Sequence, residues 1–298
     1  MSKDPLSLAP SPAALPVPVR GATVRRVITV ILDGLRPDAL DYFGMTQLQH
    51  LAGQGAFTAA ATTVSPSVTA AAMTSLFTGV VPEQHGVTSD RFHIPRPRVR
   101  LDPVTAVLDR AGLPVATFVR KLPLLFRPLG RACATHLRVR SPMFEGSDAW
   151  SILAAARETL STQQSGLIFL HWPDADNAGH DHGWMSAAYG RACRVLDSAL
   201  GALVRETGVL GDPHTLLIAL ADHGGGGFEY RDHDGDHPDN LTIPVLMAGG
   251  SVRRRGFAGA VSILDIAPTI ASALGVASSP IWQGRAHDVT SGEVEHAA

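Results

Sequence analysis

The stretch Val27-Ile28-Thr29-Val30-Ile31-Leu32, which Asp33-Gly34 follows directly, decides the fold of this chain. An apolar run with so few polar residues is typical of a strand in a parallel sheet that is covered on both faces. Similar runs recur along the chain and alternate with segments of helical periodicity. We therefore predict an α/β fold with a doubly wound, largely parallel sheet and helices on both faces. In such a sheet the ligand-binding loops meet at the carboxyl ends of the strands.

The same patterns predict where the individual elements lie. The predicted strands are Arg26–Leu32, Val115–Val119, Gly166–His171, Thr215–Ala221 and Ile243–Ala248. The predicted helices are Thr46–Ala52, Thr69–Phe77, Pro103–Ala111, Ala149–Leu160, Ser186–Glu206 and Ile263–Leu274. Thr88–Asp102 and Lys121–Ser147 fit neither pattern, and we expect them to form loops or a small cap over the sheet edge.

The 298 residues suffice for one large domain. We predict a disordered lead-in rich in Pro and Ala over residues 1–22, a single α/β domain over 23–289 and a flexible tail over 290–298. Cys133 and Cys193 form no CxxC pair and are expected to be free thiols.

Composition and charge exclude some classes of partner. The formal net charge of −2 gives no electrostatic reason to expect bulk nucleic acid as a partner. No stretch approaches the roughly 20 apolar residues that a membrane-spanning helix needs. The N-terminus lacks the apolar run of a signal peptide, so we expect a cytoplasmic protein without a membrane segment.

Asp and His residues follow three of the apolar runs. Asp33 follows the first run, Asp176-Asn177-Ala178-Gly179-His180 follows the run at Leu167–Leu170, and Asp222-His223 follows the run that begins at Leu216. We expect the second segment to turn back on itself at its glycine. Oxygen and nitrogen ligands at one edge of a sheet suit a pair of zinc-like cations.

Four further residues near these clusters compete for a place in the site. Asp174 and His182 lie close enough in sequence to Asp176 and His180 to be mistaken for ligands. His233 and His237 are both candidates for a final ligand, and the residues alone leave that choice open.

A candidate nucleophile lies in the stretch from Val64 to Gly79. Pro66 interrupts regular structure, and the helix that follows is expected to begin near Thr69, which would lie at or near its N-cap. A hydroxyl at that place, beside a cation, can become a nucleophile, and free N–H groups there can bind a phosphoryl oxygen. The alternative is that Thr69 only caps the helix. The competing hydroxyls are those of Ser65, Ser67, Thr74 and Thr78.

Taken together, these segments resemble the alkaline phosphatase superfamily, and within it the nucleotide pyrophosphatase/phosphodiesterase branch. The resemblance extends from Val27 to about Arg285, and its motifs occur in the order of the family. The motifs are Leu32-Asp33-Gly34, Thr78-Gly79-Val80-Val81-Pro82-Glu83-Gln84-His85-Gly86, Asp176-x-x-Gly-His180, Ala221-Asp222-His223-Gly224, Thr242-Ile243-Pro244 and Asp265-Ile266-Ala267-Pro268-Thr269-Ile270.

The resemblance implies a role for each matching position. It implies Thr69 as the nucleophile and two divalent metal ions, expected to be Zn²⁺. One ion would be held by Asp33, Thr69, Asp222 and His223, and the other by Asp176, His180 and a late His. The family spacing to Ala248-Gly249 favours His233 over His237 for that last position.

The implied activity is hydrolysis of a small anionic phosphate ester, most simply a phosphodiester or a pyrophosphate, through a phosphorylated Thr69. A phosphomonoesterase or phosphonate hydrolase of the same superfamily is the alternative enzyme, and an inactive homologue that binds a metal or a ligand is the non-enzyme alternative. The chain departs from the phosphodiesterase pattern at Ala72, where those members carry an Asn. It also lacks the sulfatase signature around the nucleophile.

Overall fold

The structure is a computed structural model, and it describes residues 24–91, 94–121, 131, 134–135, 137, 139, 142–144, 146–253 and 256–290. The predicted lead-in over 1–22, residues 291–298 of the predicted tail and Cys133 lie outside the described residues. Cys193 is a buried free thiol, and burial raises its pKa to about 12. This thiol is therefore protonated and unreactive at neutral pH.

A seven-stranded sheet organises the described residues. Its strands are β1 (Arg26–Leu32), β2 (Ala56–Thr62), β3 (Val115–Val119), β4 (Pro142–Phe144), β5 (Gly166–Trp172), β6 (Thr215–Leu220) and β7 (Thr242–Ala248). The order across the sheet is β2-β7-β6-β1-β5-β3-β4. Neighbouring strands from β6 to β4 pair in parallel, and β7 pairs antiparallel with both β6 and β2. All residues of β1 and β6 are buried, as a sheet covered on both faces requires. The predicted fold class is confirmed.

The predicted helices are also found, each within three residues of the expected bounds. The α-helices are α1 (Ala39–Tyr42), α2 (Thr46–Gln54), α3 (Thr69–Thr78), α4 (Pro82–His85), α5 (Val104–Arg110), α6 (Ala149–Thr162), α7 (Asp174–His182), α8 (Ala187–Thr207), α9 (Pro238–Leu241) and α10 (Ile266–Ala273). The start of the last predicted helix is a separate 3₁₀ turn over Ile263–Asp265.

The prediction of a chain reversal at Gly179 is wrong. Gly179 lies inside α7, and a Cβ added there would come within 2.6 Å of the Trp184 indole ring. Glycine is therefore needed here because the Trp184 ring packs directly against the helix backbone. It does not mark a turn at this position, as glycine often does.

Two edge strands were not predicted. Four of the seven β2 residues are alanines, and buried and exposed residues do not alternate regularly along the strand. β4 lies within Lys121–Ser147, so this segment contributes a short edge strand as well as loop. The described part of Thr88–Asp102 contains neither helix nor strand, as expected.

The register of the three central strands brings the predicted site residues to one edge. Leu32 pairs with Trp172, and Ile31 pairs with Leu220, so the residues that follow each strand lie side by side. The Asp33 N–H donates to the Trp172 carbonyl at 3.0 Å, which extends the ladder by one residue. Parallel pairing thus aligns three chain segments that are distant in sequence.

Within the part of the chain that the structure describes, no helix combines the length and the apolar character that crossing a bilayer requires. The cytoplasmic location expected from the sequence stays a prediction.

Gly79 and Gly208 form a matched pair for testing the packing around α3. Both end a helix in the left-handed region, with φ values of 63° and 62°. A Cβ at Gly208 would meet nothing within 4 Å, whereas a Cβ at Gly79 would lie 2.6 Å from the Trp282 ring. Gly79 follows the helix that carries Thr69.

We predict that Gly208→Ala costs about 1 kcal/mol in the free energy of unfolding, because a Cβ is strained in that conformation. Gly79→Ala should cost about 1–3 kcal/mol more, because overpacking against the Trp282 ring adds to the same strain. Urea unfolding of both variants measures the difference. Equal losses in the free energy of unfolding would show that the Trp282 ring moves aside without an energetic cost.

Candidate metal and catalytic site

Asp33 and Asp222 form the buried floor of the site. Asp222 Oδ1 accepts hydrogen bonds from the N–H groups of Gly34, at 3.3 Å, and of His223, at 3.0 Å. Gly34 has a φ of 69°, and a Cβ there would lie 2.9 Å from the Asp176 Cα. The Asp33-Gly34 pair therefore allows the backbone of Asp176 to come close to the two carboxylates.

A first cluster joins Thr69 to this floor through His223. His223 Nε2 lies 3.3 Å from Asp33 Oδ1 and 3.7 Å from Asp222 Oδ2. The same nitrogen lies 3.0 Å from Thr69 Oγ1. Four side chains from three different segments of the chain thus meet at the carboxyl edge of the sheet.

A second cluster joins Asp176 to two imidazoles. Asp176 Oδ1 lies 3.4 Å from His180 Nε2 and 3.7 Å from His233 Nε2. The two imidazole nitrogens are 3.1 Å apart. His180 is one helical turn after Asp176 on α7, so both side chains lie on one face of that helix.

The orientation of the three imidazoles is fixed from behind by backbone carbonyls. Nδ1 of His223 donates to Gly224 O at 2.9 Å, Nδ1 of His180 to Arg231 O at 2.9 Å, and Nδ1 of His233 to Ser67 O at 2.7 Å. In the neutral imidazole this leaves a lone pair on each Nε2, turned towards the carboxylates. Backbone carbonyls orient metal-binding histidines in the same way.

The electrostatics of the site favour positive charge. Burial and the neighbouring Asp33 raise the pKa of Asp222 to about 7 and raise that of Asp176 well above its ordinary value. Burial opposes the charged imidazole of His223, but Asp222 and Asp33 raise its pKa well above the usual range. Burial together with His223 lowers the pKa of His233 to about 3. His233 is therefore a neutral imidazole whose Nε2 can bind a cation.

The Asp and His side chains of the site form groups that could hold a metal ion. Within the described residues, Asp33 Oδ1, Asp176 Oδ1 and Asp222 Oδ2 are buried and form no hydrogen bond. Buried carboxylate oxygens without partners are costly unless a cation or donor reaches them. Three sets offer ligand atoms within 4.8 Å of one another: Asp176, His180 and His233; Asp33, Asp176 and His223; and Asp33, His171 and Asp222.

Thr69 is the first residue of α3, and Val68 is the N-cap. The Thr69 hydroxyl lies 3.0 Å from His223 Nε2. The Ala70 N–H, which the sequence suggested could meet a phosphoryl oxygen, donates to Asp90 Oδ1 at 2.7 Å. A carboxylate from another segment therefore caps this helix.

The competing hydroxyls have other partners. Ser65 donates to Asp236, Ser67 to the His233 carbonyl, Thr74 to the Ala70 carbonyl and Thr78 to the Thr74 carbonyl. Ala72 is fully buried in the core, so this position of α3 takes no part in the site.

The competing ligands also lie elsewhere. His237 is the N-cap of α9, where its Nδ1 accepts the Asp239 N–H at 3.1 Å. Asp174 accepts the Ala149 N–H at 2.8 Å, at the start of α6. His182 is exposed at the end of α7. The structure thus brings His233 to Asp176 and leaves the other three outside both clusters.

The sequence interpretation missed His171, the penultimate residue of β5. Its Nε2 lies 3.2 Å from Asp33 Oδ2, and its side chain is largely buried. Asp33 raises the pKa of His171 against the opposing effect of burial. The sequence does contain a signal for His171, because it lies at the end of an apolar run. Asp33 and Asp222 were identified from the same pattern.

Trp184 and Tyr189 were also missed, and both support Asp33 through its neighbour. The Trp184 Nε1–H and the Tyr189 hydroxyl each donate to the Gly34 carbonyl at 2.9 Å. The Trp184 ring also lies 5.2 Å from the His180 ring and 5.7 Å from the His233 ring. Trp184 therefore contacts the second cluster and the residue that follows Asp33.

Comparisons with solved structures support the fold. The murine ectonucleotide pyrophosphatase/phosphodiesterase 5, in an inactive form with AMP, has a TM-score of 0.66 at 15% identity, over 86% of this chain and 96% of that one. A putative sulfatase from Bacteroides thetaiotaomicron has a TM-score of 0.69 at 12% identity, over 88% of this chain and 73% of that one.

Curated relatives match shorter stretches. GPI ethanolamine phosphate transferase 1 of Aspergillus fumigatus is 29% identical over 93 residues, which are 30% of this chain and 9% of that protein. Phosphopentomutase of Sinorhizobium medicae is 30% identical over 184 residues, which are 60% of this chain and 41% of that protein. The chain thus spans about a tenth and about two fifths of these two relatives.

The family model described as type I phosphodiesterase / nucleotide pyrophosphatase matches residues 27–273. This match contains both clusters and Thr69, and it extends over the whole sheet. The chain belongs to the type I phosphodiesterase / nucleotide pyrophosphatase family, within the alkaline phosphatase superfamily.

Proposed function

We propose that this chain is a metal-dependent hydrolase that cleaves a phosphodiester or pyrophosphate bond through a phosphorylated Thr69. One observation carries the proposal. Three imidazoles, each held from behind by a backbone carbonyl, turn Nε2 towards buried carboxylates, and one of these nitrogens lies 3.0 Å from Thr69 Oγ1. Beside these nitrogens lie buried carboxylate oxygens without hydrogen bonds, which a purely structural cluster would leave at a cost and a bound cation would satisfy.

The two clusters supply separate ligand sets. Asp33, Asp222 and His223 would hold one cation together with Thr69, and Asp176, His180 and His233 would hold the other. Mixed carboxylate and imidazole ligands suit Zn²⁺ better than Mg²⁺. Bound there, two divalent ions would lower the pKa of the Thr69 hydroxyl and offset negative charge on the attacking and leaving oxygens.

Thr69 is placed for nucleophilic attack. Its Oγ1 lies 3.0 Å from His223 Nε2, and Val68, not Thr69, occupies the N-cap position of α3. In the reaction, Oγ1 forms a bond to phosphorus while the bond from phosphorus to the ester oxygen breaks. The leaving oxygen takes the electron pair, and water then frees the phosphoryl group from Thr69.

The His180 and His233 side chains form the second cluster together with Asp176. Their Nε2 atoms are 3.1 Å apart, and neither can donate while Nδ1 of each donates to a carbonyl. Two facing lone pairs repel unless a positive centre lies between them. This arrangement, with Asp176 beside both nitrogens, supports a cation bound at the second cluster.

Thr69→Ala should reduce single-turnover hydrolysis of a chromogenic phosphodiester by at least about 1,000-fold, because the covalent step has lost its oxygen. Thr69→Ser should keep appreciable activity, since it retains that oxygen. Zinc content should change little in Thr69→Ala, because two carboxylates and His223 remain. Thr74→Ala is the matched control, since this hydroxyl bonds only to the Ala70 carbonyl within its own helix. A Thr69→Ala rate near that of the unchanged enzyme would disprove a Thr69 nucleophile.

His233→Ala and His237→Ala separate the two candidate ligands. His233→Ala should lose most of one equivalent of zinc and more than about tenfold of activity, because an incomplete set of ligands binds weakly. His237→Ala should keep both metals, because its ring caps a short helix. Metal analysis after gel filtration of each zinc-loaded variant measures the outcome. Zinc loss in His237→Ala alone would refute the assignment of His233.

A further inference from the structure

A cavity of about 340 Å³ opens beside the candidate nucleophile. Thr69 and Met73, one turn apart on α3, line one side of it. Val119 at the end of β3, Phe144 on β4 and His171 on β5 line the other side. A cavity of this size holds a small organic group, and this one adjoins the atom proposed to attack phosphorus.

The described lining is mostly apolar. Its polar members are Thr69, Asp90, Thr117 and His171, and the other described side chains around it are aliphatic or aromatic. A nucleobase packed against these described side chains would find few hydrogen-bond partners among them, and each of its groups left without one costs binding energy. An uncharged hydrocarbon ring or a short alkyl chain has no hydrogen-bonding groups to leave unpaired. Its transfer from water into the cavity is favourable because it buries apolar surface.

Asp90 adds a carboxylate at the cavity, next to the nucleophile. Its Oδ1 accepts the N–H of Ala70, the residue that follows Thr69. A second negative charge on the substrate would meet repulsion from this carboxylate. The cavity therefore disfavours a dianionic phosphomonoester and a pyrophosphate with further phosphates, and it tolerates a diester with one negative charge.

The geometry also indicates which ester group the cavity would hold. The described lining includes Thr69 and His171 but none of the second cluster of Asp176, His180 and His233. In an in-line displacement the leaving oxygen lies opposite the attacking oxygen, and in the proposed function a cation at the second cluster would stabilise it. The group beside Thr69 is then the one that stays on phosphorus.

We propose that this cavity binds the retained organic group of a monoanionic phosphodiester, and that this group is apolar and uncharged, such as a phenyl ring. The proposal rests on the proposed function, since it takes Thr69 as the nucleophile. It narrows the substrate class from phosphate esters in general to diesters of apolar alcohols.

Three diesters with the same p-nitrophenolate leaving group test the proposal on the zinc-loaded enzyme. Their retained groups are methyl, phenyl and 5′-thymidyl. We expect kcat/KM for the phenyl ester to exceed that for the methyl ester by about tenfold or more, because burial of the ring in an apolar pocket adds binding energy. The thymidyl ester and the monoester p-nitrophenyl phosphate should both be slower than the phenyl diester.

Two methionines offer a matched pair of substitutions. Met73 lines the cavity, whereas Met143 on β4 is 42% exposed and does not. Met73→Gln puts an amide into the cavity and should reduce the phenyl-to-methyl ratio by about threefold or more. Met143→Gln should leave that ratio unchanged. Val119→Thr, which keeps the shape of the side chain, repeats the test should Met73→Gln not fold.

The outcomes separate this proposal from the proposed function. A thymidyl ester cleaved as fast as the phenyl ester, in a reaction that needs Thr69, overturns the apolar cavity and leaves the hydrolase in place. Should no diester be cleaved in a Thr69-dependent reaction, the proposed function falls. Calorimetry with phenylphosphonate and methylphosphonate then still tests the cavity: tighter phenyl binding that Met73→Gln weakens supports it, and equal binding overturns it.

Discussion

Repulsion among three buried carboxylates is the constraint on which the rest of this structure depends. Asp33, Asp176 and Asp222 lie at one edge of the sheet, and burial and mutual proximity raise the pKa of two of them. Negative charges that lie close together in a buried site need a positively charged partner. The imidazoles provide the surrounding ligands, and the parallel register of β1, β5 and β6 holds the three segments together. The chemistry proposed for Thr69 follows from that concentration of charge.

The backbone around Gly34 shows how the fold maintains this arrangement. Its left-handed conformation and missing side chain let Asp176 approach, and its carbonyl accepts bonds from Trp184 and Tyr189. Trp184 in turn packs on Gly179 of α7. The Trp184 ring thus packs between α7, which carries Asp176 and His180, and the turn that follows Asp33. Glycine is therefore required at these positions because neighbouring residues approach the backbone closely, and not only because the chain turns there.

The sheet and most helices could be predicted because apolar runs and helical periodicity are local signals. The strand β2 was not predicted because its alanines give no clear alternation of apolar and polar residues. The helix α7 was not predicted because Gly179 is a residue type that often marks a turn. Asp33, Asp222 and His223 were found from their place after apolar strands. His171 was missed although it has the same signal, and the Asp90 bond to Ala70 joins residues that no local pattern connects. Long-range contacts of this kind follow only from the fold.

Anomalous diffraction at the zinc edge, from crystals grown with Zn²⁺ and without chelator, tests the central claim most directly. The account predicts two peaks per chain, each with ligand atoms at about 2.0–2.2 Å. One peak should lie among Asp33, Asp222, His223 and Thr69 Oγ1, and the other among Asp176, His180 and His233. A single peak, or peaks away from these carboxylates, would contradict the account.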